Sequence, residues 1–266
     1  MMSNIHLVLS SVIEVFGLVG IAYLYARRFR FDTHATMRIG MDIFVPCLAF
    51  SALMESSIDA KELGIAASAT LIQIGAGLLI GYVGLRLIGW GNRRELLMPI
   101  AFVNTANIPF PLLLANFGSD GLSRGVLCYM VTNLTIFSLG LVLLHGGGRL
   151  REAFREPALW ATALAGVLRI LKIEPPEMVM RIPRLAGMAA VPLMLVLFGF
   201  ALSRTRLTAL RTAAVATLLR YASGAAALAI TLTLLRPEGM LRKILILYAL
   251  LPSAAVSYTH LTLPTN

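Results

Sequence analysis

The stretch MPIAFVNTANIPFPLLLANFG, residues 98–118, decides how this chain is read. It is long and apolar enough to cross a bilayer, yet it carries Asn104, Asn107, Pro109 and Pro111 near its middle. Each proline removes a backbone donor and clashes with the carbonyl one turn earlier, so the helix is expected to break at 109 and 111. Broken backbone at membrane depth is tolerated only where it is buried in protein or lines a cavity. The two Asn side chains bring amide donors and carbonyl acceptors to that break, which suits a small polar or anionic solute. The alternative is a kinked helix whose Asn residues satisfy a neighbour's backbone.

Composition narrows the class. The 266 residues are 58% hydrophobic and 14% charged, with a mean hydropathy of +0.81, a balance that describes an all-α polytopic membrane protein. A formal net charge of +10 could suggest nucleic acid. The Lys and Arg residues, however, sit in short clusters between apolar runs, where orientation signals belong, so no nucleic-acid partner is expected. Cys47 and Cys128 both fall inside apolar runs, and His6, His34, His145 and His260 show no ligand spacing, so no metal and no cofactor is expected. The N-terminus lacks a basic region and runs straight into a full-length apolar segment, unlike a cleaved signal peptide.

Nine apolar segments follow one another at roughly 6–26, 39–54, 64–90, 98–118, 122–144, 157–171, 185–203, 212–235 and from 243 onward. The third holds Gly77 and Gly81 at the spacing that lets helices approach closely. The second half echoes the first. Pro192 lies 146 residues after Pro46, the Arg242-Lys243 pair 149 after Arg93-Arg94, and Pro252 143 after Pro109. Near-constant offsets predict an internal repeat of five helices, divided as 1–145 and 146–257. An odd number of helices per repeat forces the two copies into opposite orientation, the inverted-repeat plan of secondary transporters. Interrupted segments in corresponding positions, here the fourth and ninth, then point to a substrate site at the midplane. Breaks after odd-numbered segments hold thirteen Lys and Arg residues against nine after even-numbered ones, seven of those nine in the second half, and this excess puts the N-terminus outside and the odd-numbered breaks in the cytoplasm.

VNTANIPFPLLLANFG (103–118), YMVTNLTIFSLGLVLL (129–144), VPLMLVLFGFALS (191–203) and ALLPSAAVS (249–257) resemble the fourth-, fifth-, seventh- and ninth-helix motifs of the auxin efflux carrier family of transporters. The resemblance covers roughly residues 7–257. It implies ten helices in the fold shared with sodium/bile-acid symporters, helices one, two, six and seven forming a scaffold and the rest a transport domain in which the broken crossover helices four and nine cross. It also implies a permease for small organic anions such as malate or malonate in the inner (plasma) membrane. The chain departs from the family pattern by carrying Pro109 where glycine is common. With the repeat offset of about 145, the tenth helix is expected beyond Asn266, and residues 258–266 read as a tail foreign to the family.

The residues singled out for substrate binding are Asn104, Thr105, Asn107, Pro109, Pro111, Pro252 and Ser253. Three ionisable residues inside spans, Glu14, Asp42 and Arg220, are coupling candidates, since charge at membrane depth is costly and marks function. Two have a plainer reading: Arg220 could snorkel to the cytoplasmic surface, and Asp42 could be interfacial because its segment is short; Glu14 is the least easily dismissed. A sodium-coupled symporter of the same fold is the main alternative to proton coupling or uniport. An intramembrane enzyme finds no HExxH motif, no adjacent Glu pair and no Ser or Cys with a His partner in the spans, so no catalytic residue is expected. The expected partners are a small organic anion, the lipid bilayer and a second copy of the chain.

Overall fold

Asp59 is followed three residues later by Glu62, and the Asp59 side chain accepts a hydrogen bond from the Glu62 amide at 2.6 Å. That capping arrangement starts a 28-residue helix on an otherwise featureless apolar run. The computed structural model describes residues 2–29, 32–136, 155–205 and 210–253. In order, its helices are α1 (Met2–Arg28), α2 (Thr33–Ile39), a π-helical turn (Gly40–Phe44), α3 (Val45–Met54), α4 (Ala60–Leu87), a 3₁₀ turn (Arg94–Leu96), α5 (Leu97–Ala101), α6 (Pro109–Thr135), α7 (Pro157–Ile170), α8 (Glu177–Arg204), α9 (Leu210–Leu234) and α10 (Gly239–Ala249). Among the described residues, four stretches are long and apolar enough to cross a membrane: Thr33–Met54, Lys61–Leu87, Glu177–Arg204 and Leu210–Leu234. The shorter α7 is apolar as well.

Proline placement shapes several of these elements. Pro46 cannot donate to Asp42, and its ring would clash with that carbonyl in a regular helix. The chain widens into the π turn just before it, with the Val45 amide reaching back to Gly40 O. The expectation that the fourth segment breaks at Pro109 and Pro111 is corrected. The unwound backbone lies upstream, over 102–108, and Pro109 and Pro111 sit in the first turn of α6. Proline starts a helix well because the missing amides are unpaired there in any case. The second interruption is at Gly118, whose φ of 63° and ψ of −158° bend α6. Pro183 and Pro192, by contrast, lie inside a continuous α8.

The chain forms two compact units, each drawing on both halves of the sequence. Unit 1 comprises Met1–Ile58, Ala106–Val126 and Phe154–Arg206. Within it α8 packs along α1 and α3, and α3 along α7. Val15, Val19 and Leu195 form a buried cluster against Leu112 and Phe198. A Cβ added to Gly199 would stand 2.5 Å from Val19 O, and one on Gly187 2.8 Å from Leu48 Cα. Glycine there lets helix backbones touch, the packing mode that lipid, which supplies no hydrophobic force between helices, requires.

Unit 2 comprises Asp59–Thr105, Leu127–Ala153 and Leu207–Asn266. In it α4 packs against α5 and α9, and α9 against α10. Leu85, Leu97, Ile100 and Ala216 share one buried cluster, and Ile74, Met98, Ala101 and Phe102 another. Gly77 and Gly81 both lie against α5, where added Cβ atoms would come within 2.4 Å of Ala101 Cα and 3.0 Å of Ile100 Cγ2. The linker at 145–154 and the tail at 258–266 lie outside the described residues.

Candidate functional site

The functional candidates of unit 2 collect where its two interrupted helices end. α5 stops at Ala101 and the chain extends through Phe102, at φ −100° and ψ 112°. α10 stops at Ala249, and the backbone after it is unwound through Ser253. The two extended pieces pair as an isolated antiparallel bridge between Val103 and Ser253. The Asn104 amide donates to Pro252 O at 2.8 Å. A short two-stranded crossing thus replaces helical hydrogen bonds at a place where an unpaired backbone group would be costly.

Buried polar side chains surround this crossing. Asn104, Thr105 and Ser253 are buried, while Pro252 is exposed. The Tyr248 hydroxyl donates to Thr105 O at 3.1 Å, fastening α10 to the far side of the break. Two further donors converge on Tyr248 O, a carbonyl at the C-terminal end of α10. They are Gln73 Nε2 of α4 at 3.4 Å and Arg220 Nη2 of α9 at 3.2 Å. A cavity of about 10 Å³ beside Gln73, lined also by Ala69, Thr231, Leu245 and Ala249, has room for one water molecule and no carboxylate.

Arg220 does not snorkel. Its residue is 1% exposed, the largest side chain so fully buried among the described residues. The plainer reading of that arginine is therefore corrected: in the third turn of α9, where Gly224 packs against Ala249, it is enclosed instead of directed to a surface. Gln73 and Tyr248 escaped the sequence reading. Gln73 carried a signal, being an amide inside an apolar run, and Tyr248 precedes Pro252 by one helical turn.

The other candidates belong to unit 1. Pro109 and Pro111 are buried in the first turn of α6, and Asn107 is half-buried just before it. Glu14 is on an exposed face of α1. Asp42 is exposed in the π turn with Arg38 Nε at 4.0 Å. Glu156, which the sequence reading passed over, is the N-cap residue of α7. Its Oε1 is buried without a hydrogen-bond partner, and burial, then the charge of Asp42, push its carboxyl pKa up. Arg169, at the end of α7, donates to Leu53 O at 2.6 Å, to Ile58 O at 2.9 Å and to both oxygens of Ser56. It closes the carbonyl end of α3 as a cation should.

The sequence profile of the membrane transport protein family matches residues 7–149 and 148–262. An uncharacterized transporter of Methanothermobacter thermautotrophicus is 26% identical over 203 residues, 73% of this chain and 64% of that protein. The chain thus spans less than two thirds of the length of that relative. With apolar helices of spanning length and matches over nearly its whole length, the chain is a multi-pass membrane protein that belongs to the membrane transport protein family, the auxin efflux carriers.

Proposed function

We propose that this protein is a secondary transporter, a permease and not an enzyme, that carries small organic anions of the malate and malonate class across the cytoplasmic membrane. The observation that carries the reading is the crossing of the two interrupted segments, Val103 with Ser253 and the Asn104 amide on Pro252 O. Interrupted helices that meet at the midplane are where transporters built from inverted repeats bind their substrates. Asn104, Thr105 and Ser253 supply neutral donors at that crossing in unit 2, and a buried guanidinium is tied to it through Tyr248. Together these favour a carboxylate over a cation or a neutral solute. Asn107, Pro109 and Pro111 belong to the same reading as the start of the half-helix α6.

The proline and basic-pair offsets of 143 to 149 residues support two five-helix repeats of opposite orientation, the sodium/bile-acid symporter plan. The basic breaks support an N-terminus outside. Uptake of labelled malate and malonate into proteoliposomes carrying the full chain, with pH and Na⁺ gradients imposed separately, tests the function. Saturable uptake that falls at least about tenfold in Asn104→Ala is expected, the size of one lost hydrogen bond to a charged ligand. Absent uptake of any carboxylate, or uptake unchanged in Asn104→Ala, would overturn it.

A further inference from the structure

Arg220 is a full positive charge in the interior of unit 2 with little to neutralise it. Among the described residues its side chain makes one hydrogen bond, to the neutral carbonyl of Tyr248, and its Nε is buried without a partner. No Asp or Glu among the described residues pairs with it. A guanidinium cannot shed its proton to escape this cost, and a buried ion is stable only when paired and hydrogen-bonded.

Its position explains part of the compensation. Tyr248 and Ala249 are the last residues of α10, whose carbonyls carry the negative end of the helix dipole. A Cβ on Gly224 would stand 2.8 Å from Arg220 Nη1 and 2.4 Å from Ala249 O, so glycine leaves this turn open for guanidinium and carbonyl together. In transporters with broken helices, such C-terminal ends and unwound carbonyls are what coordinate a coupling Na⁺. Here an arginine occupies that end.

We infer that Arg220 is a tethered counter-cation, so that this protein binds its carboxylate without a co-bound metal cation, the free Nε–H being the donor left for the anion. The inference rests on the anion-transport reading. It fixes a property which that reading leaves open: sodium is not part of the bound complex. A guanidinium has a fixed charge and a fork geometry suited to carboxylate, which an exchangeable Na⁺ lacks.

The test is thermal unfolding of the purified full chain in detergent, titrated with malonate as its sodium salt and as its N-methylglucamine salt, with the chlorides as ionic-strength controls. Malonate is expected to raise the unfolding temperature equally in both salts. Arg220→Gln is expected to weaken the apparent malonate affinity at least about thirtyfold, as for loss of one member of a buried charge pair. Arg220→Lys, which keeps the charge and loses the fork, is expected to fall between. Protection that requires Na⁺ in the unaltered chain overturns the inference without any variant, and so does undiminished protection of Arg220→Gln. If Arg220→Gln does not fold, the cation comparison and Arg220→Lys decide. No protection of the unaltered chain by malonate, acetate or malate in either salt overturns the anion reading and this inference together.

Discussion

At the scale of single residues, the charges that matter are those the packing encloses. Glu156 has a buried oxygen with no hydrogen-bond partner and a carboxylate neighbour in Asp42, and both burial and that charge favour its protonated form. Its folded pKa therefore lies above the ordinary glutamate value of about 4.3. Its contribution to stability is complete below that value and is lost as pH rises through the higher folded pKa. Glu156→Gln removes the charge and breaks no hydrogen bond seen at Oε1. We expect the variant to be more stable than the unaltered chain at pH 7 and its unfolding temperature to change less from pH 4 upward. Unfolding curves recorded at steps of pH check this, and parallel pH dependences would refute it. Glu156 was legible as an acid at the end of a linker. Its burial was not, because enclosure depends on how α7 meets the π turn around Asp42.

At the scale of elements, the helix contacts rest on glycines that sequence spacing flags only in part. Gly77 and Gly81 stood out by their four-residue separation, and both do abut α5. Gly199 had no such mark, yet it is the point where α8 touches the backbone of α1. An alanine methyl there would meet Val19 O at 2.5 Å and Ala22 Cβ at 2.8 Å, and backbone cannot swing aside as a flexible side chain can. Gly199→Ala should cost about 1–3 kcal/mol through overpacking. Gly166 of α7 has nothing within 4 Å of the corresponding position, so Gly166→Ala should be neutral or stabilise by up to about 1 kcal/mol through helix propensity. Equilibrium unfolding of both variants tests the pair, and equal effects would mean that contact at Gly199 yields more easily than its geometry implies.

At the scale of the whole molecule, the orientation in the bilayer sets which face each loop meets. Trp90, just past the end of α4, is flanked by the guanidinium groups of Arg93 at 4.8 Å and Arg211 at 5.5 Å. Arg93 also donates to the Thr212 hydroxyl at 3.2 Å. An indole with arginines around it is the composition of a membrane–water boundary, and the orientation proposed above, N-terminus outside, puts this end in the cytoplasm. In a background with Cys47→Ala and Cys128→Ala, a cysteine placed by Lys61→Cys should react with an impermeant maleimide in intact cells. One placed by Asn92→Cys should react only after the inner face is opened. Labelling of both from one side would exclude α4 as a span, and the reverse pattern would invert the orientation.

What the sequence determined by itself was the class of molecule and the location of its interruptions. Bilayer thickness imposes a length on every apolar run, and proline and glycine act on the backbone locally, so spans and breaks are written in consecutive residues. Yet local rules placed the break of the fourth segment at Pro109 and Pro111, whereas those prolines open α6 and the unwinding falls over 102–108. A proline's preference for a first helical turn shows only once the preceding residues have somewhere else to hydrogen-bond. Ser253 and Pro252, about 150 residues away in the chain, supply that place. Only the tertiary structure could decide this, and for the same reason only it could show Arg220 enclosed: a buried charge or a paired carbonyl is a property of what packs around it, and those neighbours come from α4, α5, α9 and α10 together.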